Sequence, residues 1–331
     1  MLRSSLKLAE KIFEKDVEQI PTRQGYGEGL VIAGEKDPNV VVLCADLTES
    51  TRSNLFKEKF PSRFVEMGVA EQGMATVAAG MANYGKIPFI SSYAAFSPGR
   101  NWEQIRTTIA LNDVPVKIAG AHAGLTVGPD GATHQMLEDI ALMRAMPNMI
   151  VVYPCDSVEA KKATVASAAN GKPTYIRLAR EKTVVITTEA TPFKIGKADV
   201  FWISKDPQVS IIAAGSLLFE ALIAAQELEK TGINVEVVNC HTIKPLDERT
   251  IISSVKKTGA VVTVEEHQII GGLGGAVAEL LAKNLPTPQE FIGMPDHFGE
   301  SGEPDELLRK YHMKSEDIVV AVKKVIVRKN S

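Results

Sequence analysis

The chain has 331 residues, 45% hydrophobic and 23% charged, the proportions of an ordinary globular protein and not of a disordered, collagen-like or coiled-coil chain. Lys plus Arg (37) against Asp plus Glu (40) leaves a formal net charge of −3. With no basic excess to neutralise a phosphate backbone, no nucleic-acid partner is expected, although a few local Arg and His can still hold one phosphate. At about 150 residues per domain the length predicts two domains. No apolar run reaches the roughly 18 residues of a membrane span, so no membrane is expected either. Cys44, Cys155 and Cys240 are far apart and match no metal spacing, which reads as buried reduced thiols in a cytoplasmic protein.

Residues 1–20 carry Leu, Ile and Phe at helical spacing among charges, which predicts an amphipathic lead-in helix. From there, short Val- and Ile-rich runs bounded by Gly, Pro and Asp alternate with helix-like segments. Strands are expected at 39–46, 86–92, 114–120, 149–154 and 173–179, with helices at 24–35, 70–84, 100–111, 135–145 and 156–169. That is the pattern of parallel strands buried on both faces. The pattern loosens over 187–206, read as a linker with a short extended piece. It resumes with strands at 209–215, 234–240, 259–266 and 289–295 and helices at 216–232, 246–257, 274–284, 303–309 and 314–328. The expected fold is α/β, two doubly wound domains over 21–186 and 207–331.

In parallel α/β sheets ligands sit beyond the carboxyl ends of the strands. The residues just after those ends are Asp46, Tyr93, Phe96, His122 and Arg180, joined by Asp130 and His134 in the turn GPDGATH (128–134). Asp, two His and Arg together suit a hydroxylated, phosphorylated molecule; a single strand-end His is more often structural. Glu71 opens a helix that is otherwise Ala, Gly, Met and Val, so the helix is expected to be buried and its carboxylate to need a partner. Serving the helix N-terminus and waiting for a ligand donor are both open readings. GGLGG (271–275) fails the dinucleotide fingerprint and reads as a tight turn. Glu265-Glu266-His267 reads as a surface strand end, with a subunit contact as the alternative.

RFVEMGVAEQGMATVAAGMANYGKIPFISSYAAF resembles the pyrimidine-binding domain of thiamine-diphosphate enzymes of the transketolase group. GLTVGPDGATHQMLEDIALMRAMPNMIVVYPCD narrows the resemblance to transketolase and 1-deoxyxylulose-5-phosphate synthase. It covers roughly 20–330, and a transketolase-like C-terminal domain is included.

The resemblance implies that Glu71 hydrogen-bonds N1′ of the cofactor's aminopyrimidine, favouring the tautomer that activates the thiazolium carbon. It implies that Tyr93 and Phe96 flank the pyrimidine and that Asp46 lies close to the cofactor. His134 matches the histidine near C1 of the donor sugar, and Asp130 the aspartate on a sugar hydroxyl. Arg23, His122 and Arg180 match phosphate ligands, and the phosphate serine is Ser53 or Ser50. Near SPGRNW (97–102) the chain carries an extra residue, which leaves Arg100 and Trp102 unassigned.

The metal-binding Gly-Asp-Gly and Asn of full-length transketolases do not occur, and GPDGA lies in the sugar loop. No metal ligand is therefore expected here. The chain resembles the C-terminal subunit of a split transketolase, inert alone. An N-terminal partner subunit would hold the diphosphate and Mg2+ or Ca2+ in an α2β2 assembly. The implied reaction moves a two-carbon ketol unit between sugar phosphates of the pentose phosphate pathway. The alternatives are the synthase relative, a 2-oxoacid dehydrogenase β subunit, which lacks a GPDGATHQ-like loop, and a regulatory subunit that has lost catalysis.

Overall fold

The computed structural model describes residues 1–331. In chain order the strands are β1 (Gln19–Pro21), β2 (Val40–Cys44), β3 (Phe64–Glu66), β4 (Ile87–Tyr93), β5 (Lys117–Ala121), β6 (Ile150–Val152), β7 (Thr174–Arg177), β8 (Lys182–Val184), β9 (Asp199–Trp202), β10 (Val209–Ala213), β11 (Val235–Asn239), β12 (Thr242–Lys244), β13 (Val261–Gln268) and β14 (Gln289–Met294). The helices are α1 (Thr22–Lys36), α2 (Asn54–Lys59), α3 (Glu71–Asn83), α4 (Trp102–Gln104, continuing as a π-helix over Ile105–Ala110), α5 (Asp139–Arg144), α6 (Ser157–Ala168), α7 (Leu218–Lys230), α8 (Glu248–Thr258), α9 (Leu273–Asn284), α10 (Pro304–Lys310) and α11 (Ser315–Asn330). None of them is long and apolar enough to cross a membrane.

Two mixed sheets, mostly parallel, organise the chain. The first runs β12-β6-β7-β5-β4-β2-β3 and the second β14-β13-β10-β11-β9. Strands β2, β5, β10 and β11 are buried at every position, as parallel strands covered by helices on both faces must be. The helix boundaries follow local chemistry. The Asp156 carboxylate caps α6 by accepting from Glu159 N at 2.8 Å, and Asp247 caps α8 through Thr250 N at 3.2 Å. Gly259, in the left-handed region at φ 64°, ends α8.

The two units share one interior. A cluster of 36 buried apolar residues includes Ile90, Val151 and Tyr153 from the first unit and Ile212, Val238 and Ile243 from the second. Strand β12, which follows β11 of the second unit, pairs antiparallel with β6 as an edge of the first sheet. The segment 187–206 is pinned at both ends. Asp156 accepts from Ile186 N, Thr187 N and Thr187 Oγ1 at 2.6–2.8 Å, and β9 forms the antiparallel edge of the second sheet against β11.

The lead-in helix expected over 1–20 does not form. Its apolar residues are used separately, not as one stripe. Leu2 bridges to Trp202, Arg3 N donates to Phe201 O at 2.8 Å, and Ala9 N donates to Ile186 O at 2.9 Å. Leu6 and Ile12 are buried, and Phe13 meets Trp202 edge-on at 6.2 Å. Residues 19–21 then pair as β1 with β8. The segment is a strap across the linker and the second sheet, and tertiary contacts override its helical spacing. Replacement Ile12→Ala should lower stability by about 2–5 kcal/mol, the usual cost of hollowing a filled core site. Urea unfolding measures this, and a loss below about 1 kcal/mol would mean that the strap is not part of the folded core.

Candidate active site

The carboxyl edge of the first sheet assembles the site. Strands β2, β4, β5 and β7 run parallel, so Asp46, Tyr93, His122 and Arg180 emerge together at one end. Asp46 and His122, neither of them glycine, adopt left-handed backbone conformations (φ 57° and 54°) directly after their strands, and Arg52 does so nearby (φ 64°). Such conformations persist only where their surroundings enforce them, and they concentrate at functional sites.

The rings form a shelf. Tyr93 stacks on His122 with centroids 3.8 Å apart and lies 6.1 Å from Phe96 at an interplanar angle of 21°. His134 meets Phe96 edge-on at 5.5 Å and Tyr93 at 6.2 Å, while its Nδ1 shares a 2.9 Å hydrogen bond with Thr133 Oγ1. The turn thus brings His134 to the shelf. Asp130 stands exposed on the same loop, its carboxylate free of protein partners.

Glu71 begins α3 and is 2% exposed, yet its carboxylate does not serve the helix N-terminus. Arg100 Nη1 donates to Oε2 at 2.7 Å, and the same guanidinium lies 4.7 Å over the Phe96 ring. Oε1 takes no hydrogen bond from the chain. Asn101 fixes the acid's own backbone, donating from Nδ2 to Glu71 O at 3.0 Å. The helix itself is less enclosed than its small residues suggest. Met74, Ala75, Ala78 and Ala79 pack inward, whereas Gln72, Thr76, Val77 and Gly80 face outward, as does Tyr84 just past the helix end. Trp102 lies away from the acid, its Nε1 donating to Leu142 O at 3.3 Å.

A cationic pocket adjoins the shelf. Arg23 Nη1 donates to Ser50 O at 2.8 Å and Arg180 Nη1 to Val127 O at 2.8 Å; Arg180 also pairs with Glu181 at 3.1 Å. Burial, followed by the neighbouring charge of Arg52, lowers the pKa of Arg23. His122 is held neutral, its pKa pushed down to about 3 by burial first and then by Arg23, Arg180 and His134. Arg23 Nε, Arg52 Nε and His122 Nδ1 are all buried without a hydrogen-bond partner. Donors and cations left unanswered in one place fit an anionic group of a ligand.

Arg52 is the residue that sequence reasoning missed. It lies between the two serine candidates, Ser50 and Ser53, and its left-handed backbone is invisible in the sequence. The two serine candidates are placed differently in this loop: Ser53 is fully buried with its hydroxyl 2.8 Å from Thr51 Oγ1, and Ser50 accepts from Arg23 through its backbone carbonyl. Asp46 is exposed, and its backbone N–H donates to Glu66 Oε1 at 2.9 Å.

The expected surface strand end Glu265-Glu266-His267 is instead buried, at 2%, 0% and 0% exposure. Glu265 accepts from Leu273 N at 2.7 Å and Gly274 N at 2.8 Å, so it caps α9 where GGLGG makes its turn. Polar groups at a strand end look exposed in sequence; here the two domains close over them.

Comparison with known proteins identifies the family. The model of the transketolase pyrimidine-binding domain matches residues 18–184, and that of the transketolase C-terminal domain matches residues 196–318. The chain belongs to the transketolase family. A Methanocaldococcus jannaschii protein whose name carries the words transketolase C-terminal section is 48% identical over 299 residues, covering 89% of this chain and 93% of its own. The 6-deoxy-6-sulfo-D-fructose transketolase subunit SqwH of Clostridium sp. (strain MSTE9) is 41% identical, covering 96% and 98%. Human transketolase is 36% identical, and the match spans 94% of this chain but 50% of the human protein. A solved split-gene transketolase, described as an inactive β4 tetramer, superposes with a TM-score of 0.88 at 43% identity, covering 94% and 99%. Transketolase-family membership makes the chain part of a transketolase-type transferase, and the family implies thiamine diphosphate.

Because His122 is kept neutral, the native state binds fewer protons than the unfolded chain between pH 6.5 and about 3. Its contribution to stability is present above that window and is lost as pH falls through it. His122→Gln should therefore flatten the acid limb of the stability curve, by up to about 1.4 kcal/mol per pH unit for one proton. Urea midpoints between pH 6.5 and 4 test this; parallel curves for variant and parent would contradict it.

Proposed function

We propose that this chain is the sugar-binding, acid-bearing subunit of a thiamine-diphosphate-dependent transketolase. In this reading it moves a two-carbon ketol unit from a ketose phosphate to an aldose phosphate, as in the pentose phosphate pathway. The observation that carries the proposal is the arrangement of Glu71: a nearly buried carboxylate with one oxygen uncommitted, beside an aromatic shelf that leads to an unsatisfied cationic pocket. That donor set fits an aminopyrimidine at one end and a sugar phosphate at the other.

In this reading Glu71 shares a proton with the pyrimidine nitrogen, and the surrounding rings keep water from that proton. Arg100 holds the carboxylate in place through its 2.7 Å hydrogen bond until the ligand arrives. Tyr93 and Phe96 flank the pyrimidine, and Asp46 lies near the cofactor. His134 sits where it assists proton movement at the sugar, and Asp130 selects a hydroxyl. Arg23, Arg180 and His122 receive the phosphate together with the hydroxyl of Ser53 or Ser50, and Arg52 lies beside them. Bound thiamine diphosphate supplies the nucleophilic carbon.

No group of three or more His, Cys, Asp or Glu side chains in the chain converges into a possible metal site. We assign the diphosphate and its Mg2+ or Ca2+ to an N-terminal partner subunit, with an α2β2 assembly as the working form. The relative SqwH is named for a sulfo-sugar, and the cationic pocket suits a sulfonate as well as a phosphate, so both belong in the assay.

The chain would be co-produced with its genomic neighbour and supplied with thiamine diphosphate and Mg2+. Sedoheptulose 7-phosphate should form from xylulose 5-phosphate and ribose 5-phosphate. Turnover only of 6-deoxy-6-sulfo-fructose would reassign the sugar, and turnover only of pyruvate would reassign the reaction. Glu71→Gln should lower kcat by about 10²–10⁴-fold, the range of a positioned acid–base group. Near-normal turnover in that variant would remove Glu71 from the mechanism.

A further inference from the structure

The loop that carries Asp130 and His134 belongs to the first domain but is held by the second. At its start, Thr126 N donates to Glu266 Oε1 at 2.6 Å, and Glu266 Oε2 takes the Ser216 hydroxyl at 3.0 Å. Glu266 lies at the end of β13, in the C-terminal domain, and is fully buried. The approach is so close that a Cβ on Gly124 (φ 96°) would come within 2.3 Å of that carboxylate.

At the loop's far end Gln135 closes a clasp. Its Nε2 lies within 3.1 Å of Leu125 O, 3.4 Å of Gly128 O and 3.0 Å of Glu300 O, tying both ends of the loop to the segment before α10. In the middle, Gly131 (φ 71°) faces Ser301 so closely that a Cβ would lie 2.5 Å from its Oγ. The loop therefore has contact with the C-terminal domain at its start, middle and end. An interface built only to weld two domains would use apolar side chains, as the shared core does. This one uses a buried carboxylate, an amide clasp and backbone-distance packing, all devices that set direction.

We propose that the C-terminal domain is the template for the sugar loop, with Glu266 and the 299–304 segment as positioning elements that set the affinity for the donor sugar. The identity of that sugar rests on the reading given under Proposed function; the bracing itself does not. Glu266 touches no substrate in this scheme. It acts through Thr126, and the loop then presents Asp130 and His134 to the shelf.

Two measurements test it on the full-length chain. In the chain alone, Glu266→Ala should speed amide hydrogen exchange of peptides spanning 124–135 roughly ten- to hundredfold, the loss expected from a buried charge-assisted hydrogen bond. Peptides in β4 and β7 should be unchanged. In the assembly with the partner subunit, the same variant should raise the KM for the ketose by a similar factor. Thiamine diphosphate affinity should hold, because Glu71, Tyr93 and Phe96 lie outside the loop, and Glu266→Gln, which keeps shape and one acceptor, should recover part of the loss. Unchanged loop exchange, or exchange that rises equally in both domains, would overturn the proposal and leave Glu266 as a weld. If the unmodified assembly turns over no ketose, the functional reading fails, while the exchange measurement still decides the brace.

Discussion

Charge removed from water has to be answered by charge or by hydrogen bonds, and the seam between the two domains is organised around that constraint. Arg177 at the end of β7 and Asp139 at the start of α5 are both fully buried and meet at 2.8 Å. Tyr175 donates to the same carboxylate at 2.6 Å, Arg177 Nη2 reaches Met136 O at 3.1 Å, and its guanidinium lies 4.5 Å over the Tyr153 ring. Breaking such a pair strands an uncompensated charge, which costs about 3–5 kcal/mol. The pair therefore fixes where the loop ends and where α5 begins. Burial raises the pKa of the neighbouring Glu266, and the charge of Arg177 works against that rise.

From that seam the site divides into two chemistries on one sheet edge. On one side an acid is kept nearly dry beside Tyr93 and Phe96, with a single arginine as its counter-ion. On the other, burial first and then the charges of Arg23 and Arg180 keep His122 uncharged, and Arg52 stands next to Arg23. Arg23 and Arg52 repel one another, so the pocket is destabilised without an anion and is correspondingly receptive to one. The left-handed backbone at Asp46, Arg52 and His122 is the local strain by which the loops aim these groups, and the parallel strands beneath are rigid enough to hold it.

How far the sequence could be read depended on the range of the forces involved. Short Val- and Ile-rich runs locate β2, β4, β5, β10 and β13 within a few residues, because burial on both faces leaves a local signature. The residues after those strands were legible for the same reason. Features set by distant partners were not. The strap over 1–20 has helical spacing, but Leu2, Leu6 and Ile12 are claimed by Trp202 and its surroundings. Glu265 and Glu266 look like a solvated strand end until a second domain closes over them. Ser53 and Ser50 differ only in which way one loop turns, and the value of Arg52 follows from a positive φ that its neighbours impose. The face of α3 carrying Gln72, Thr76 and Val77 is open although the helix composition suggested full enclosure, since small residues pack equally well on one side or two.

Strand β12 carries a last consequence. A parallel sheet normally ends in a row of unpaired amides and carbonyls that invites another chain. Here β6 is shielded by a three-residue piece that the polypeptide lends back from its other half. The two halves are thus sewn together by main-chain bonds, which denies them the freedom to swing about a hinge. Any relative movement of the halves would have to break that pairing and part the apolar core they share.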